Sequence, residues 1–212
     1  MQKVDTKESL EKTIRELEKE CQEQPKSFIV HHHLGLVYRN AGRIEDAIRE
    51  LTIAVELDPH SVESHINLGA IFFEQGRIDE ARAANETALK LKPEAAQAHA
   101  NMGLIWQRQG DGSRAEEAYL KATRYDPKLI TAWVNLASAH VMNGNFIKAK
   151  EAAQQAIAID PDFGIAHNNL AVACYFLKEY DKAAAALDRA RELHYRPEPR
   201  FEQALAEARR QQ

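Results

Sequence analysis

Residues 130–163 have the sequence ITAWVNLASAHVMNGNFIKAKEAAQQAIAIDPDF, and the chain repeats the pattern of this stretch. Its proline belongs to a series in which each proline lies 34 residues after the last: Pro25, Pro59, Pro93, Pro127 and Pro161. Three columns of small residues keep the same step: Gly35, Gly69, Gly103, Ala137 and Ala171; Ala47, Ala81, Ala115, Ala149 and Ala183; Ala54, Ala88, Ala122, Ala156 and Ala190. Because a fixed period of this length is the signature of a repeat protein, we expect five consecutive repeats with no insertion between them.

Each repeat has the pattern of two helices joined by a turn. In the repeat that starts at Val62, apolar residues such as Leu68 and Ile71 recur at intervals of three and four, the period of an amphipathic helix. In four repeats the two halves break at a glycine: Gly42, Gly76, Gly110 and Gly144. Glycine suits a left-handed helix terminus, and proline suits the first turn of a helix but not its interior. Each repeat is therefore predicted to be a helical hairpin.

The repeats fill most of the chain. The predicted boundaries are an N-terminal helix at 1–27, repeats at 28–61, 62–95, 96–129, 130–163 and 164–197, and a C-terminal solvating helix at 198–212. Since one hairpin cannot bury its apolar face alone, the hairpins must stack on one another. We expect Tyr38, Phe72 and Trp106 to fill the space left by the glycine column. The expected fold is all-α: a right-handed α-solenoid of tandem antiparallel helix pairs with N- and C-terminal capping helices.

On these features the chain closely resembles the tetratricopeptide repeat family. The family's 34-residue unit has small residues at its eighth, twentieth and twenty-seventh positions and proline at its thirty-second, and the match runs from Phe28 to about Arg196. Four units carry all four features. The fifth unit differs, with Lys178 in place of the turn glycine and Tyr195 at the proline position. The resemblance implies a scaffold that binds other proteins.

Composition excludes several other classes of protein. The 28 basic and 32 acidic residues give a net charge of −4, so no excess positive field would attract nucleic acid. The two cysteines, Cys21 and Cys174, are too few for a disulfide framework and are expected to be free thiols. Charged residues interrupt every apolar run, and the N-terminus lacks a signal sequence. We expect a soluble cytoplasmic protein with no direct membrane insertion.

Four asparagines share one position of the repeat. The sixth residues of the five units are His33, Asn67, Asn101, Asn135 and Asn169. Asparagine is only a middling helix former, so its recurrence requires an explanation. The family resemblance implies that this position faces the concave surface, where some members use such a ladder to hydrogen-bond the backbone of an extended ligand. In the alternative interpretation, the asparagines bond between neighbouring helices or face water.

Apolar residues are expected to line the same groove. The fifth and ninth positions of the repeats supply these candidates: Ile66, Ala70, Leu104, Val134 and Val172. They would favour apolar side chains in the ligand, although ordinary packing between helices would also explain them. A carboxylate clamp, the other binding mode known in the family, needs lysine and arginine at inward positions that here hold His32, Leu36, Gln97 and Asn101. Chaperone C-terminal tails are therefore not expected as ligands.

Neither a metal site nor catalysis is predicted. His31, His65, His99 and His167 share the fourth position of their repeats, but residues one repeat apart are separated by roughly 10 Å. Zinc ligands must lie within about 2.1 Å of a shared ion, so this column cannot form one site. The chain has no nucleophile motif, no phosphate-binding glycine loop and no HExxH sequence. We expect no cofactor and no catalytic residue.

Two functions remain in consideration. The first is an adaptor that holds an extended peptide of a partner protein in its groove through the asparagine ladder. The alternative is a structural assembly subunit that self-associates into a homo-oligomer or forms a fixed component of a multiprotein complex.

Overall fold

The computed structural model describes the backbone of residues 2–211 and the side chains of residues 8–211. This part of the chain contains twelve α-helices and no β-strand. The helices are α1 (Gln2–Glu23), α2 (Phe28–Asn40), α3 (Ile44–Leu57), α4 (Val62–Glu74), α5 (Ile78–Leu91), α6 (Ala96–Arg108), α7 (Gly112–Tyr125), α8 (Ile130–Met142), α9 (Phe146–Ile159), α10 (Gly164–Phe176), α11 (Tyr180–Glu192) and α12 (Pro199–Arg210). They form two compact units: residues 1–101 are unit 1 and residues 102–212 are unit 2. The predicted all-α class is confirmed.

Tight turns join the two helices of each hairpin. Four of these turns place a glycine in the left-handed region, with φ between 73° and 80°: Gly42, Gly76, Gly110 and Gly144. The residue after the glycine donates its N–H to a carbonyl five residues back, as Arg43 does to Tyr38 at 2.9 Å, and this bond closes the helix end. In the last hairpin Lys178 adopts the same conformation with φ of 60°. The turn therefore keeps its geometry without glycine. A side chain at positive φ is sterically unfavourable, so this turn is less stable than one with glycine.

The core of unit 1 is built where the helices of neighbouring hairpins meet. Buried residues of one cluster come from helices α1 to α5 and include Ile14, Leu34, Leu51 and Ile71. The glycine column is essential to this packing, because a Cβ atom at Gly35 would lie 2.7 Å from Cγ of Leu51. The absence of a side chain there lets the two helices of the first hairpin approach each other closely.

The residue opposite each glycine differs from the one that the sequence predicted. Leu51 of α3, Asn85 of α5 and Tyr119 of α7 fill the space beside Gly35, Gly69 and Gly103, and not Tyr38, Phe72 and Trp106. These three partners share one position in the second helix of the hairpin, whereas the predicted residues lie in the first helix. In the fourth hairpin alanine replaces glycine at position 137, and the equivalent residue of the second helix is Ala153; both are buried in the same cluster.

The core of unit 2 has two main clusters. Tyr119, Leu136 and Ala153 belong to the first, which lies among α7, α8 and α9. In the second, Leu205 of α12 packs with Leu187 of α11 and with other residues of the last hairpin. None of the helices in the described part of the chain combines the length and the apolar content that crossing a bilayer requires.

Candidate protein-binding surfaces

The structure separates the sixth-position residues into two groups. His33 is exposed, and Asn67 and Asn135 are half-buried. Asn101 and Asn169 are only 4% and 9% exposed. One column of the repeat thus occupies two different environments, and the hydrogen bonds of its members differ accordingly.

Asn101 and Asn169 bond to the preceding hairpin. The Asn101 amide donates to Oδ1 of Asn85 at 3.0 Å and, more weakly, to the carbonyl of Ile66 at 3.5 Å. The Asn169 amide donates to the carbonyl of Val134 at 3.0 Å and to Oγ of Ser138 at 3.1 Å. In both cases the carbonyl lies 35 residues before the asparagine. Each unit therefore contains the same contact between the first helices of two neighbouring hairpins. This is the arrangement of the alternative interpretation, in which the asparagines join helices.

Asn67 and Asn135 have no side-chain hydrogen bond within their own units, as far as the described residues show. Each amide therefore retains a donor and an acceptor for another molecule. Asn67 neighbours the half-buried Ala70 on α4, since residues three and four apart in a helix are neighbours, and Ala70 in turn neighbours the half-buried Ile66. Asn67 thus combines an amide without a bond in unit 1 with a half-buried apolar neighbour.

His33 lies beside a second histidine, His32, on α2. The ring of His33 meets the ring of His32 edge to face, with centroids 6.0 Å apart. Nδ1 of His32 lies 2.8 Å from the Ser64 hydroxyl, which joins α2 to α4. Burial, and then the neighbouring His33, lower the pKa of His32 below its ordinary value, so the ring stays neutral at pH 7.

The groove-lining candidates are also not equivalent. Val134 is buried and packs with Ala156 and Ala166, so it belongs to the core of unit 2. Four candidates are half-buried and keep part of their surface available: Ile66, Ala70, Leu104 and Val172. Ile66 and Leu104 also border core clusters, which is the packing role that the sequence left open.

A recurring bond that the sequence did not predict connects the fourth position of every repeat to the proline six residues earlier. The ring nitrogens lie 2.8 to 3.3 Å from the proline carbonyls in these pairs: His31 and Pro25, His65 and Pro59, His99 and Pro93, Trp133 and Pro127, His167 and Pro161. A carbonyl only accepts, and the indole of Trp133 only donates. The four histidines therefore carry a proton on Nε2 and substitute for a tryptophan N–H. The constant spacing of six residues was the signal in the sequence.

A cavity of about 430 Å³ lies in unit 2 among α7, α8 and α9. His140 lines it together with Trp133, Lys148 and Glu151. Nδ1 of His140 is buried without a hydrogen bond and lies 3.5 Å from Oε2 of Glu116. Burial lowers the pKa of His140 below its ordinary value, and the negative charge of Glu116 opposes this only in part.

Apolar side chains near the hairpin turns of unit 2 are exposed or half-buried. Phe146 and Phe176 stack with ring centroids 4.5 Å apart. Met142 and Ile147, on either side of the turn before Phe146, are 62% and 65% exposed. We call Met142, Phe146, Ile147 and Phe176 the apolar patch. Adjacent exposed apolar side chains are a common feature of protein interfaces.

Tandem helical hairpins with this repeat length define a class of helical repeat proteins. A family model described as tetratricopeptide repeat matches residues 33–96, 75–130, 101–146 and 134–194. The chain therefore belongs to the tetratricopeptide repeat family, as its resemblance implied. A search of the curated proteins finds no match.

Solved structures with similar folds include several other repeat proteins. PilF of Pseudomonas aeruginosa is 22% identical with a TM-score of 0.76, over 85% of this chain and 83% of that one. YrrB, described as a TPR protein with an unusual peptide-binding site, is 17% identical with a TM-score of 0.65, over 92% and 97%. MamA is 23% identical with a TM-score of 0.64, over 78% and 91%. At these identities the likeness concerns the fold.

Proposed function

We propose that this chain is a non-enzymatic adaptor that binds an extended segment of a partner protein, and that Asn67 of unit 1 contacts the backbone of that segment. The observation that carries the proposal is the amide of Asn67, which has no hydrogen bond within unit 1 among the described residues and has the half-buried Ala70 three residues later on the same helix. Membership of a family of interaction scaffolds supports the same function. So does the fold shared with YrrB, whose description includes a peptide-binding site.

The sixth-position residues then have two roles. Within unit 1, Asn67 and the exposed His33 offer polar groups to a ligand. Within unit 2, Asn135 offers its amide, and the half-buried Leu104 and Val172 offer apolar surface. Asn101 and Asn169 hold neighbouring helices together through their amides and position the surface without donating to the ligand. Because backbone groups are common to all peptides, binding of this kind tolerates variation in ligand sequence.

Peptide selection on the intact chain tests the proposal. A library of extended peptides is displayed, the selected peptide is synthesised, and its affinity is measured by isothermal titration calorimetry. We expect Asn67→Ala to weaken binding by about 1–3 kcal/mol, since one side chain can form two hydrogen bonds with a peptide unit. The melting temperature should not change. Asn40→Ala, which removes an exposed asparagine at the end of α2, is the matched control. Unaltered affinity in Asn67→Ala would place the ligand elsewhere.

The apolar patch of unit 2 favours the alternative, a structural subunit that self-associates. Its exposed Met142 and Ile147 would be buried by a second copy of the chain. Light scattering coupled to size-exclusion chromatography distinguishes the two functions. Self-association predicts a mass that increases with concentration, and reversal of this increase by Ile147→Glu. A monomer at every concentration favours the adaptor.

A further inference from the structure

Three potential metal ligands from three helices meet in unit 1. Sγ of Cys21 in α1 lies 3.8 Å from Nδ1 of His31 in α2, and Nδ1 lies 2.8 Å from Oε2 of Glu50 in α3. All three atoms are within 4.8 Å of one another, and no other such trio of histidine, cysteine or acidic side chains occurs in the part of the chain that the structure describes. His31 and Glu50 are buried, and Cys21 is half-buried at the edge of a cavity of about 280 Å³.

Hydrogen bonding fixes which atom of His31 faces this cluster. Nε2 must donate, because its partner is the carbonyl of Pro25 at 3.3 Å. In a neutral ring Nδ1 then carries a lone pair, which points at a carboxylate oxygen of Glu50. Two acceptors at this distance need a cation between them, either a proton or a metal ion. The thiol of Cys21 on the same side adds a third ligand atom that a shared proton would leave unused.

We propose that Cys21, His31 and Glu50 bind a zinc ion, with water at the fourth position. One sulfur, one imidazole nitrogen and one carboxylate oxygen form a set that zinc accepts, at about 2.3, 2.1 and 2.1 Å. In a tetrahedron these lengths separate ligand atoms by about 3.4–3.6 Å. The sulfur-to-nitrogen distance of 3.8 Å is already close to this value. The Glu50 oxygen, now 2.8 Å from Nδ1, would lie farther from the ring in such a site.

The surroundings of the three side chains have the form expected around a metal. A histidine ligand commonly donates its other N–H to a backbone carbonyl, and His31 donates to Pro25. The second carboxylate oxygen of Glu50 accepts from Nε of Arg49 at 3.3 Å, which restrains its orientation. The sequence argument against metal binding considered only histidines one repeat apart. It did not consider ligands from three different helices, which the packing of α1 on the first hairpin brings together.

Cobalt and zinc titrations of the full, reduced and metal-free chain, without an affinity tag, test the site. We expect one cobalt ion per chain, with the near-ultraviolet absorption band of a cobalt–thiolate bond, and displacement of the cobalt by zinc. Cys21→Ser should abolish the band, and Glu50→Gln should weaken zinc binding at least tenfold. His31→Trp should also weaken zinc binding at least tenfold. This variant keeps a ring N–H that can donate to the Pro25 carbonyl, as Trp133 donates to Pro127.

Two matched controls separate this site from other thiols and imidazoles. Cys174→Ser removes the other cysteine, and His33→Ala removes an exposed histidine two residues from His31, so both should retain the band and the zinc affinity. Zinc should raise the melting temperature of the wild-type chain but not that of Cys21→Ser. Absence of the cobalt–thiolate band from the wild-type chain, or an undiminished band in Cys21→Ser, would overturn the proposal and leave His31 and Glu50 as a hydrogen-bonded pair.

Discussion

Replacing Asn101 with alanine should destabilise the chain, in contrast to the same change at Asn67. The Asn101 side chain is 4% exposed and donates to Oδ1 of Asn85, which is fully buried. Its removal leaves that oxygen without this donor, which costs about 1–3 kcal/mol, and the lost packing adds to the cost. We expect the free energy of unfolding to fall by about 2–3 kcal/mol for Asn101→Ala. The half-buried, unbonded Asn67 should lose less than about 0.5 kcal/mol on the same change.

Urea denaturation followed by circular dichroism measures both variants, and a double variant identifies the bond responsible. Asn85→Leu introduces the residue that the first hairpin has at the equivalent position, Leu51 beside Gly35. Alone it leaves the N–H groups of the buried Asn101 amide with only the weak bond to the Ile66 carbonyl and should destabilise the chain. Combined with Asn101→Ala it removes both polar partners, so the double variant should lose less than the sum of the two single losses. Strictly additive losses, or equal losses for Asn67→Ala and Asn101→Ala, would refute the reasoning.

Two further predictions concern the last turn and the buried histidine of unit 2. Lys178 has a φ of 60°, so Lys178→Gly should raise the free energy of unfolding by about 0.5–1 kcal/mol. Lys178→Ala should leave thermal stability unchanged, because alanine keeps the Cβ atom. An equal effect of both changes would exclude relief of backbone strain. The pKa of His140 is lowered in the folded chain. Below the ordinary histidine pKa the unfolded chain therefore binds more protons than the folded chain. The free energy of unfolding should then fall between pH 7 and pH 5. Urea midpoints at the two pH values should show a smaller fall in His140→Gln than in His33→Gln, and equal falls would contradict the assignment.

The sequence was sufficient to predict the fold because each weak indication of a turn or helix recurs at the same position of successive repeats. A single proline or glycine indicates little, but Pro59 and Gly76 recur in register with their equivalents, and helix ends occur near them in the structure. The partner of the glycine column was predicted wrongly for a physical reason. Periodicity shows which residues share a face, but it does not show which of two neighbouring helices crosses at that face. The close approach of α3 to α2 at Gly35 placed Leu51 there, and not Tyr38.

The candidate site was less predictable because a column of identical residues does not have identical neighbours. Asn101 is bonded because the second hairpin has Asn85 where the first has Leu51, and Asn169 is bonded partly because Ser138 lies within reach. No such bond is present within unit 1 for Asn67 among the described residues. The environment of each asparagine thus depends on non-repeated residues of the adjacent hairpin, which the repeat pattern does not identify.

The histidine column shows how a repeat can combine a structural role and a chemical one in the same side chain. Nε2 of His31 makes the bond to a proline carbonyl that every repeat makes, and Trp133 shows that this bond needs only a ring N–H. Tryptophan has no second ring nitrogen, whereas histidine places Nδ1 on the opposite side of the ring. The surroundings of Nδ1 are therefore not determined by the repeat. In the first hairpin they are supplied by Cys21, from a helix that precedes the first repeat, and by Glu50. Because Nε2 already holds the ring in place, Nδ1 can bind a ligand without loss of the bond that stabilises the helix end.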